Sequence, residues 1–415
     1  MKRLLMIAFH FPPLAGSSGI QRTLRFVQHL PALGWQPLVL TADPRAYPQT
    51  SQDLIAEIPP DTVVRRAFAL DTARHLTLGG RYFGWMARPD RWVSWRFAAV
   101  REGLRLIEEF KPDAIWSTYP IASAHQIGAE LQRRSGLPWI ADFRDPMAQD
   151  GYPADPKVWQ SFKRIEESAI AQARLSVFTT PSAARMYRER YPQAAERIAV
   201  LENGYDEGSF AGVVAAPPQP ADQSPDAPRP LVLLHSGIVY PSERDPTQLF
   251  AALGRLAQAG VLTPADLRLR FRASMHDDLL RALAQSHGAT GFLELCPAIG
   301  YRDALAEMLS VDALLVLQAA NCNEQIPAKI YEYLRAARPI LAFTDPAGDT
   351  AGVLRDAGLH AIARLDSTDE IAEALPRFVE AVRAGRAAVP KAEAVRGASR
   401  KARSEAFVGM LEALK

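Results

Sequence analysis

Short apolar runs alternate with amphipathic stretches along most of this chain. The runs are three to six residues long, which is typical of strands buried on both faces of a sheet. Between several of them apolar residues recur every three or four positions, and this spacing predicts helices. The predicted strands are Leu4–Phe9, Pro37–Thr41, Ala114–Thr118, Trp139–Phe143, Ser176–Thr179, Ile198–Leu201, Leu231–His235, Leu267–Phe271, Phe292–Leu295, Ala313–Leu317, Ile340–Phe343 and Ala361–Ala363. The predicted helices include Ile20–Leu33, Phe97–Phe110, Ala122–Ser135, Lys157–Ala173 and Glu405–Leu414.

The alternation occurs twice, on either side of a proline-rich stretch at residues 207–230 that is typical of a linker. Strands that alternate with helices predict parallel sheets covered on both faces. The sequence therefore predicts an α/β protein with two doubly wound, Rossmann-like domains that face each other across a cleft. We expect the domains at residues 1–206 and 231–395, and a C-terminal helical segment, 396–415, that packs back on the first domain.

Composition limits the class of protein. The chain has 415 residues, of which 48% are hydrophobic and 23% charged, as in an average globular protein. No apolar run approaches the roughly 18–20 residues that cross a bilayer, and the run Leu4–Phe9 is too short for a signal peptide. The two cysteines exclude a disulfide framework and a cysteine-rich zinc site. We expect a cytoplasmic protein.

The strongest motif is the segment NEQIPAKIYEYL at residues 323–334, which follows a predicted strand and opens a helix. Pro327 suits the first helical turn, where its missing N–H costs nothing. The unpaired N–H groups of a helix start attract anions such as a diphosphate. Carboxylates at Glu324 and Glu332 are able to accept hydrogen bonds from sugar and ribose hydroxyls. Taken alone, the pattern fits equally well a capped helix with two surface acids.

In its context IPAKIYEYLRAARPILAF, this motif resembles the retaining family 4 glycosyltransferases of the GT-B fold. The signature of that family is two glutamates separated by seven residues, and this form is similar to the branch that builds bacterial surface polysaccharides. The resemblance extends over nearly the whole chain. It implies that Glu324 contacts the donor sugar at the catalytic centre and that Glu332 contacts the donor ribose.

A glycine-containing loop follows the first strand of each predicted domain. In the first loop, Gly16 and Gly19 allow close approach of the backbone to a phosphate, and we assign both to donor binding. The second loop, residues 235–246, resembles the diphosphate-binding segment of the family and supplies Gly237. It departs from the family at Ile238, which replaces an arginine.

Two cations are expected to bind the diphosphate at this site. Arg244 best matches the lysine of the family motif, and Lys329 is the candidate for the missing charge. The alternative for Arg244 is a surface ion pair with Glu243 or Asp245.

Further candidates follow other strands. Arg144 and Asp145, in the segment DFRDP, are expected in the cleft, with Asp145 in a catalytic role, although a buried structural Arg–Asp pair is the alternative. The family has a functional histidine after the strand 114–118, and His125 is the nearest match; a core histidine is the alternative. His10 is a rival at the mouth of the first loop.

Two other segments are similar to family elements. Tyr301 falls where the family binds the nucleobase and is a candidate for stacking on the base, although a core aromatic residue is the alternative. Asn203–Gly204 matches the hinge segment, and Asn–Gly is also a turn signal.

Absences narrow the chemistry further. The sequence has no Asp-x-Asp motif and no Cys/His cluster, so we expect neither a bound metal nor a cofactor. No G-x-G-x-x-G follows the first strand, which disfavours a dinucleotide oxidoreductase.

The charged and aromatic residues are unevenly distributed. Residues 1–205 carry a net charge of +6 and all seven tryptophans, and the remainder carries −4. The segment 81–101 holds five arginines, three tryptophans, two phenylalanines, one tyrosine and one acid. Arginine with tryptophan is typical of a lipid headgroup interface. The alternative is tryptophan in a core with solvated arginine, and nucleic acid is disfavoured because no reading module is present.

Together these features predict a hexosyltransferase at the inner face of the cell membrane. Its donor is a nucleotide-diphospho-sugar, and its acceptor is a glycan linked to polyprenyl diphosphate. Two alternatives stay open: a nucleotide-sugar 2-epimerase of the same fold, and a catalytically silent nucleotide-sugar-binding partner subunit.

Overall fold

The computed structural model describes residues 1–17, 19–215 and 229–414, which form two compact units. The first unit runs from Met1 to Asn203 and includes the chain from Arg400 onwards. The second runs from Gly204 to Ser399. Each unit contains one parallel sheet flanked by helices, so the predicted fold class is confirmed.

The first sheet has seven parallel strands in the order β3-β2-β1-β4-β5-β6-β7. The chain extends the sheet outward from β1 on one side and then from β4 on the other. The carboxyl ends of β1 and β4 therefore form the crevice where open α/β sheets bind ligands. The strands are β1 Lys2–Ile7, β2 Trp35–Ala42, β3 Val63–Ala67, β4 Ala114–Thr118, β5 Trp139–Arg144, β6 Leu175–Phe178 and β7 Ile198–Val200.

The second sheet repeats this plan with six parallel strands in the order β10-β9-β8-β11-β12-β13. Its crevice lies between the carboxyl ends of β8 and β11, which are hydrogen-bonded neighbours. The strands are β8 Leu231–Ser236, β9 Leu267–Arg272, β10 Leu293–Cys296, β11 Ala313–Leu317, β12 Ile340–Phe343 and β13 Ile362–Ala363.

Helices connect the strands in both units, and short 3-10 turns join several of them. The α-helices are α1 Gly19–His29, α2 Thr72–His75, α3 Trp95–Phe110, α4 Ala122–Ser135, α5 Pro156–Gln172, α6 Pro181–Arg190, α7 Glu207–Phe210, α8 Thr247–Gln258, α9 Asp277–Ser286, α10 Tyr301–Ser310, α11 Lys329–Ala336, α12 Asp349–Asp356, α13 Thr368–Arg383, α14 Ala392–Gly397 and α15 Arg400–Glu412.

The predicted strands all occur within two residues of their expected ends, and one observed strand was not predicted. Strand β3, with sequence VVRRA, lies at the edge of the first sheet and exposes Arg65, so it presents no continuous apolar run. The predicted helix Ile20–Leu33 ends early at His29, and a 3-10 turn begins at Pro31, which cannot donate to an α-helical ladder.

Part of the predicted linker, residues 207–230, belongs to the second unit and contains a short helix. Helix α7 lies inside residues 207–230, and its Phe210 is buried against Tyr205 in the second unit. Residues 216–228 of the predicted linker lie outside the described residues. Helix α15 packs on the first sheet, where Phe407 stacks on Phe26 with ring centroids 4.7 Å apart.

A buried ion pair joins α1 to the end of β5 in the first unit. The Arg22 guanidinium donates two hydrogen bonds to the Asp142 carboxylate, at 2.9 and 2.8 Å, and both side chains are inaccessible to solvent. It also donates to the carbonyl oxygens of Leu201 and Glu202. Thr118 donates its hydroxyl to Asp142 at 2.9 Å. The charge on each partner is therefore fully compensated by directed hydrogen bonds.

Removing one partner should be strongly destabilising, because the other charge would stay buried without compensation. We expect Asp142→Ala to lower the free energy of unfolding by about 3–5 kcal/mol, measured by urea denaturation. The control is Glu109→Ala, which removes an exposed ion pair with Arg65 and should cost less than about 1 kcal/mol. Equal effects of the two substitutions would show that the buried pair has no special importance.

Candidate functional site

In the second unit, two of the predicted donor-binding residues, Gly237 and Lys329, meet at the crevice between β8 and β11. Gly237 follows β8 with a φ of 110°, a conformation that side chains other than glycine rarely adopt. A Cβ atom built there would lie 3.5 Å from Nζ of Lys329, the first residue of α11. The loop after β8 and the start of α11 therefore enclose a small space with a cation at its wall.

A buried histidine holds that cation in place. His235, at the end of β8, has Nδ1 3.2 Å from the carbonyl oxygen of Leu315 and Nε2 3.0 Å from Nζ of Lys329. Because a carbonyl oxygen only accepts, Nδ1 carries the proton and Nε2 accepts from the lysine. Burial and the charges of Lys329 and Arg244 hold the pKa of His235 well below its usual range, so the ring is neutral.

Lys329 itself titrates near neutrality. Burial, followed by the nearby Arg244 charge, lowers its pKa to about 7, and the Glu332 charge acts in the opposite direction. An approaching anion would stabilise the ammonium form. The site is thus prepared to gain a full positive charge when a phosphate binds.

Arg244 stays inside its own loop. Its guanidinium donates to the carbonyl oxygen of Ile238 at 2.6 Å and lies over the ring of Tyr240. Among the described residues, the alternative ion pair with Glu243 or Asp245 is not formed. Arg244 therefore supports the segment in which the expected arginine is replaced.

Glu324 lies in the loop between β11 and α11, and this loop is tied down by side chains on both sides of it. Gln318 donates its amide to the carbonyl oxygens of Cys322 and Gln325, at 2.7 and 2.9 Å. Asn323 donates to Asp345 at 2.6 Å. The carboxylate of Glu324 is partly exposed on a loop whose backbone is held rigidly.

Glu332, the predicted ribose contact, lies in α11 and is hydrogen-bonded to Tyr301, the predicted base contact. The Tyr301 hydroxyl donates to Glu332 at 2.7 Å, and the tyrosine ring is 54% exposed. Burial, followed by the neighbouring Glu332 charge, raises the pKa of Tyr301. The two residues form one hydrogen-bonded unit. Pro327 precedes the helix instead of occupying its first turn, because α11 begins at Lys329.

In the first unit, three predicted residues converge where α1 begins. A Cβ atom on Gly19 would lie 2.5 Å from Nδ1 of His10 and 2.8 Å from Nη1 of Arg144, so only glycine fits between them. Ser17 lies 3.0 Å from Nδ1 of His10 and accepts a hydrogen bond from the N–H of Gly19. Burial, and then the charge of Arg144, lowers the pKa of His10 to about 4. His10 is therefore neutral beside a guanidinium.

The segment DFRDP divides into a structural and an exposed part. Asp142 forms a buried structural pair, but its partner is Arg22 of α1 and not the arginine of the segment itself. Arg144 adopts a φ of 61° and donates to the carbonyl oxygen of Tyr119 at 3.3 Å. Asp145 is exposed directly after it. Only the second half of the segment is available to a ligand.

His125 does not lie at the strand ends, which corrects its assignment as a catalytic candidate. Its side chain is completely buried against Phe143, and its Nδ1 lies 2.8 Å from the hydroxyl of Ser117. Burial lowers its pKa to about 4. The residue falls on the side of α4 that faces the sheet, so the core alternative is the observed one.

A cavity of about 220 Å³ adjoins the first loop. Gly16 and Ser17 line it together with His10, Gln49 and Trp92. Gly16 has a φ of 75°, which lets the loop turn over the cavity. The cavity combines an aromatic wall with polar groups, as small-molecule sites do.

Sequence reasoning missed residues that act by holding the candidates. His235, Ser17 and Gln318 were not selected, because each contacts a residue distant in sequence or a backbone atom. A histidine inside an otherwise apolar strand was the only available signal, at His235. Among the residues that the structure describes, no group of three or more His, Cys, Asp or Glu side chains is placed to hold a metal ion.

Residues 18–204 match a family model described as a glycosyl transferase 4-like domain. No curated protein sequence gives a significant match. This match covers the greater part of the first unit, including α1, Arg144 and Asp145.

Solved structures resemble the whole chain. A glycosyltransferase from Rickettsia africae ESF-5 is similar over 100% of this chain and 98% of its own, with a TM-score of 0.65 and 12% identity. HepE of Anabaena, solved in complex with UDP, is similar over 100% of both chains, with a TM-score of 0.63 and 14% identity. The lipopolysaccharide outer core galactosyltransferase WaaB, in its apo form, matches 100% of this chain and 99% of its own, with a TM-score of 0.59 and 13% identity. These similarities establish the GT-B fold.

The contact at Gly19 leads to a prediction. We expect Gly19→Ala to lower the free energy of unfolding by about 1–3 kcal/mol, because the new methyl group overlaps the His10 and Arg144 side chains. The control is Gly352→Ala, where nothing lies within 4 Å of the new atom, so stability should be unchanged or higher. Chemical denaturation measures both; a neutral Gly19→Ala variant would contradict the arrangement.

Proposed function

We propose a glycosyl transfer for this chain, which has the GT-B fold and carries a glycosyl transferase 4-like domain at residues 18–204. It moves a hexose from a nucleotide-diphospho-sugar to a hydroxyl group of a glycan acceptor, with the anomeric configuration retained. The acceptor is linked to polyprenyl diphosphate, and the product is a cell-surface polysaccharide. The complexes of HepE with UDP and with UDP-glucose support a nucleotide-sugar donor.

The observation that carries this proposal is the set of groups at the crevice of the second sheet. Lys329 and Arg244 bring two cations to the loop after β8, and Gly237 leaves space beside them. Glu324 lies on the next loop, and Glu332 lies one helical turn beyond Lys329. Cations beside a glycine suit a diphosphate, and flanking carboxylates suit sugar hydroxyls.

The reaction needs charge stabilisation more than proton transfer. As the glycosidic bond to the donor lengthens, negative charge develops on the leaving diphosphate and positive charge on the sugar. Lys329 and the start of α11 stabilise the first. Glu324 accepts hydrogen bonds from the sugar and keeps it oriented, since a misplacement of about 1 Å can cost about 100-fold in rate.

The first unit binds the acceptor in this proposal. Its cavity beside Gly16, together with neutral His10 and the Arg144 guanidinium, offers an aromatic wall and groups that bind hydroxyl or phosphate. Asp145 is exposed beside them and is the candidate for contact with the attacking hydroxyl.

A membrane surface forms part of the proposal, and the structure divides the segment 81–101 in two. Trp95 is completely buried, Trp92 is partly buried, and Arg91 pairs with the buried carboxylate of Asp71, so these residues belong to the fold. Phe83 and Trp85 are 72% and 66% exposed. No helix in the described ranges is long and apolar enough to span a bilayer. On the strength of the two exposed rings, we propose a peripheral position at the cytoplasmic face of the membrane.

The direct test of the donor is thermal denaturation with a panel of nucleoside diphosphates and their sugar conjugates. A ligand at about 100 times its Kd adds about 2.7 kcal/mol to the unit that binds it, which is a shift of a few degrees. One base should stand out. Sugar transfer to an acceptor would exclude a 2-epimerase, and donor binding without transfer or hydrolysis would indicate a silent partner subunit.

Substitution of Glu324 tests its role in the reaction. We expect Glu324→Gln to lower kcat by about 100-fold or more with little change in Tm, because the amide keeps the shape and loses the charge that orients the sugar. The matched control is Glu373→Gln, at an exposed ion pair with Arg377. Equal losses of Tm and activity in Glu324→Gln would make the residue structural.

The pKa of Lys329 predicts a pH dependence of donor affinity. UDP-glucose carries no group that titrates near neutrality, so its affinity reports the protein. Affinity should be full below about pH 7, where Lys329 is an ammonium ion, and should fall by up to about tenfold per pH unit above it. His235 stays neutral over this range, so it does not contribute to the slope. Calorimetric titration of Lys329→Met should show weaker binding with a flat profile; an unchanged slope would refute the assignment.

A further inference from the structure

A second cavity of the first unit lies among the helices and shares only His125 with the predicted site residues. Its volume is about 350 Å³, within the usual range of small-molecule sites. Residues of α3, α4 and α5 line most of it, together with Arg88 and Pro89 before α3. Four of the lining residues are arginines: Arg88, Arg96, Arg133 and Arg164.

Positive charge in this cavity is largely uncompensated. Arg133 pairs with Glu130 at 2.7 Å. In the described part of the chain, Arg88, Arg96 and Arg164 form no ion pair; Arg88 donates to the carbonyl oxygen of Gly84. The nearby carboxylate of Asp155 is engaged in capping α5 through two backbone N–H groups. Three guanidinium groups around one cavity are complementary to an anion.

The floor of the cavity presents an unpaired donor. Ser117 accepts a hydrogen bond from the Trp139 indole at 2.9 Å, which leaves its own hydrogen to donate to Nδ1 of His125. Neutral His125 therefore carries its proton on Nε2, and this buried nitrogen has no partner among the described residues. A buried donor without an acceptor is destabilising, because it has lost its hydrogen bonds to water. A bound anion would remove that cost.

Exposed aromatic side chains lie close in the chain to two of these arginines, Arg88 and Arg96. Phe83 and Trp85 stack with ring centroids 6.4 Å apart on the turn that ends at Arg88. Phe97 follows Arg96 on α3 and is 76% exposed. Aromatic rings beside cations at a surface are the combination that binds the headgroup region of a bilayer.

We propose that the cavity bounded by Arg88, Arg96 and Arg164 binds the phosphate of an anionic phospholipid headgroup, while Phe83, Trp85 and Phe97 enter the bilayer interface. This inference rests on the membrane surface of the proposed function and assigns its lipid class. The Nε2–H of His125 donates to the bound headgroup from the floor of the cavity. The protein then selects anionic membranes through a specific headgroup cavity as well as through the overall positive charge of its first half.

Cosedimentation of the full chain with vesicles tests the proposal. One set of vesicles contains phosphatidylcholine alone, and the other also contains phosphatidylglycerol. The double variant Arg96→Gln/Arg164→Gln should lose about 25-fold in affinity for the anionic vesicles, since each cation contributes about fivefold near such a surface. The charge-matched control Arg281→Gln/Arg377→Gln, at exposed ion pairs of the second unit, should bind as the wild type does. Equal losses in the two double variants would overturn the site.

A second variant separates the cavity from the membrane surface. Phe83→Ser/Trp85→Ser should weaken binding to both kinds of vesicle. If the aromatic variant binds vesicles more weakly while the Arg96/Arg164 variant binds normally, the aromatic residues contact the membrane and the assignment of the cavity as a headgroup site is wrong. If soluble glycerol 3-phosphate binds with the same arginine dependence and the vesicles do not compete, the cavity binds a free phosphate and the lipid assignment is wrong. If the wild-type protein binds neither kind of vesicle, both the membrane surface and the headgroup site are wrong. The proposed glycosyl transfer would be unaffected, because donor binding and transfer are measured in solution.

Discussion

The ion pair between Arg22 and Asp142 is the contact on which the candidate site of the first unit depends. It joins the first turn of α1 to the end of β5 in a region without solvent, and directed hydrogen bonds satisfy both charges. Because α1 begins at Gly19, this contact also sets where His10 and Arg144 meet. A buried pair of this kind is weak evidence of stability, but the loss of one partner is severe. We interpret it as a device that positions the helix start.

In the second unit a neutral histidine positions the side chain of the candidate cation. His235 accepts from Lys329 without adding a charge, so the lysine is oriented while its pKa stays near 7. A carboxylate in the same place would form a salt bridge and compete with a diphosphate for the cation. The arrangement leaves the charge of Lys329 available to a ligand, which suits a chain in which Ile238 replaces an expected arginine.

The first unit also shows how one segment serves both core and surface. Within residues 81–101, Trp95 fills the core and Arg91 is committed to Asp71, yet Phe83, Trp85 and Phe97 are exposed. Composition alone reports all of these as one basic aromatic cluster. Burial separates the structural members from those that can contact a membrane. Two further arginines of the segment, Arg88 and Arg96, line a cavity.

The sequence by itself determined the two parallel sheets and most of their strands, because apolar period and strand length are local properties that burial on both faces imposes. It also indicated candidate site residues. A motif pointed to Glu324, Glu332 and Lys329, and the glycine-containing loop after the first strand pointed to Gly19. It could not find edge strand β3, whose exposed Arg65 interrupts the apolar pattern.

Only the tertiary structure decided which side chains meet. It placed His125 in the core, gave Asp142 to Arg22, and set His235 against Lys329, although these last two lie 94 positions apart in the chain. Such contacts depend on strand order and on the direction of each side chain at a strand end. Local periodicity predicts neither the strand order nor these side-chain directions, because neighbouring strands of a parallel sheet are distant in sequence.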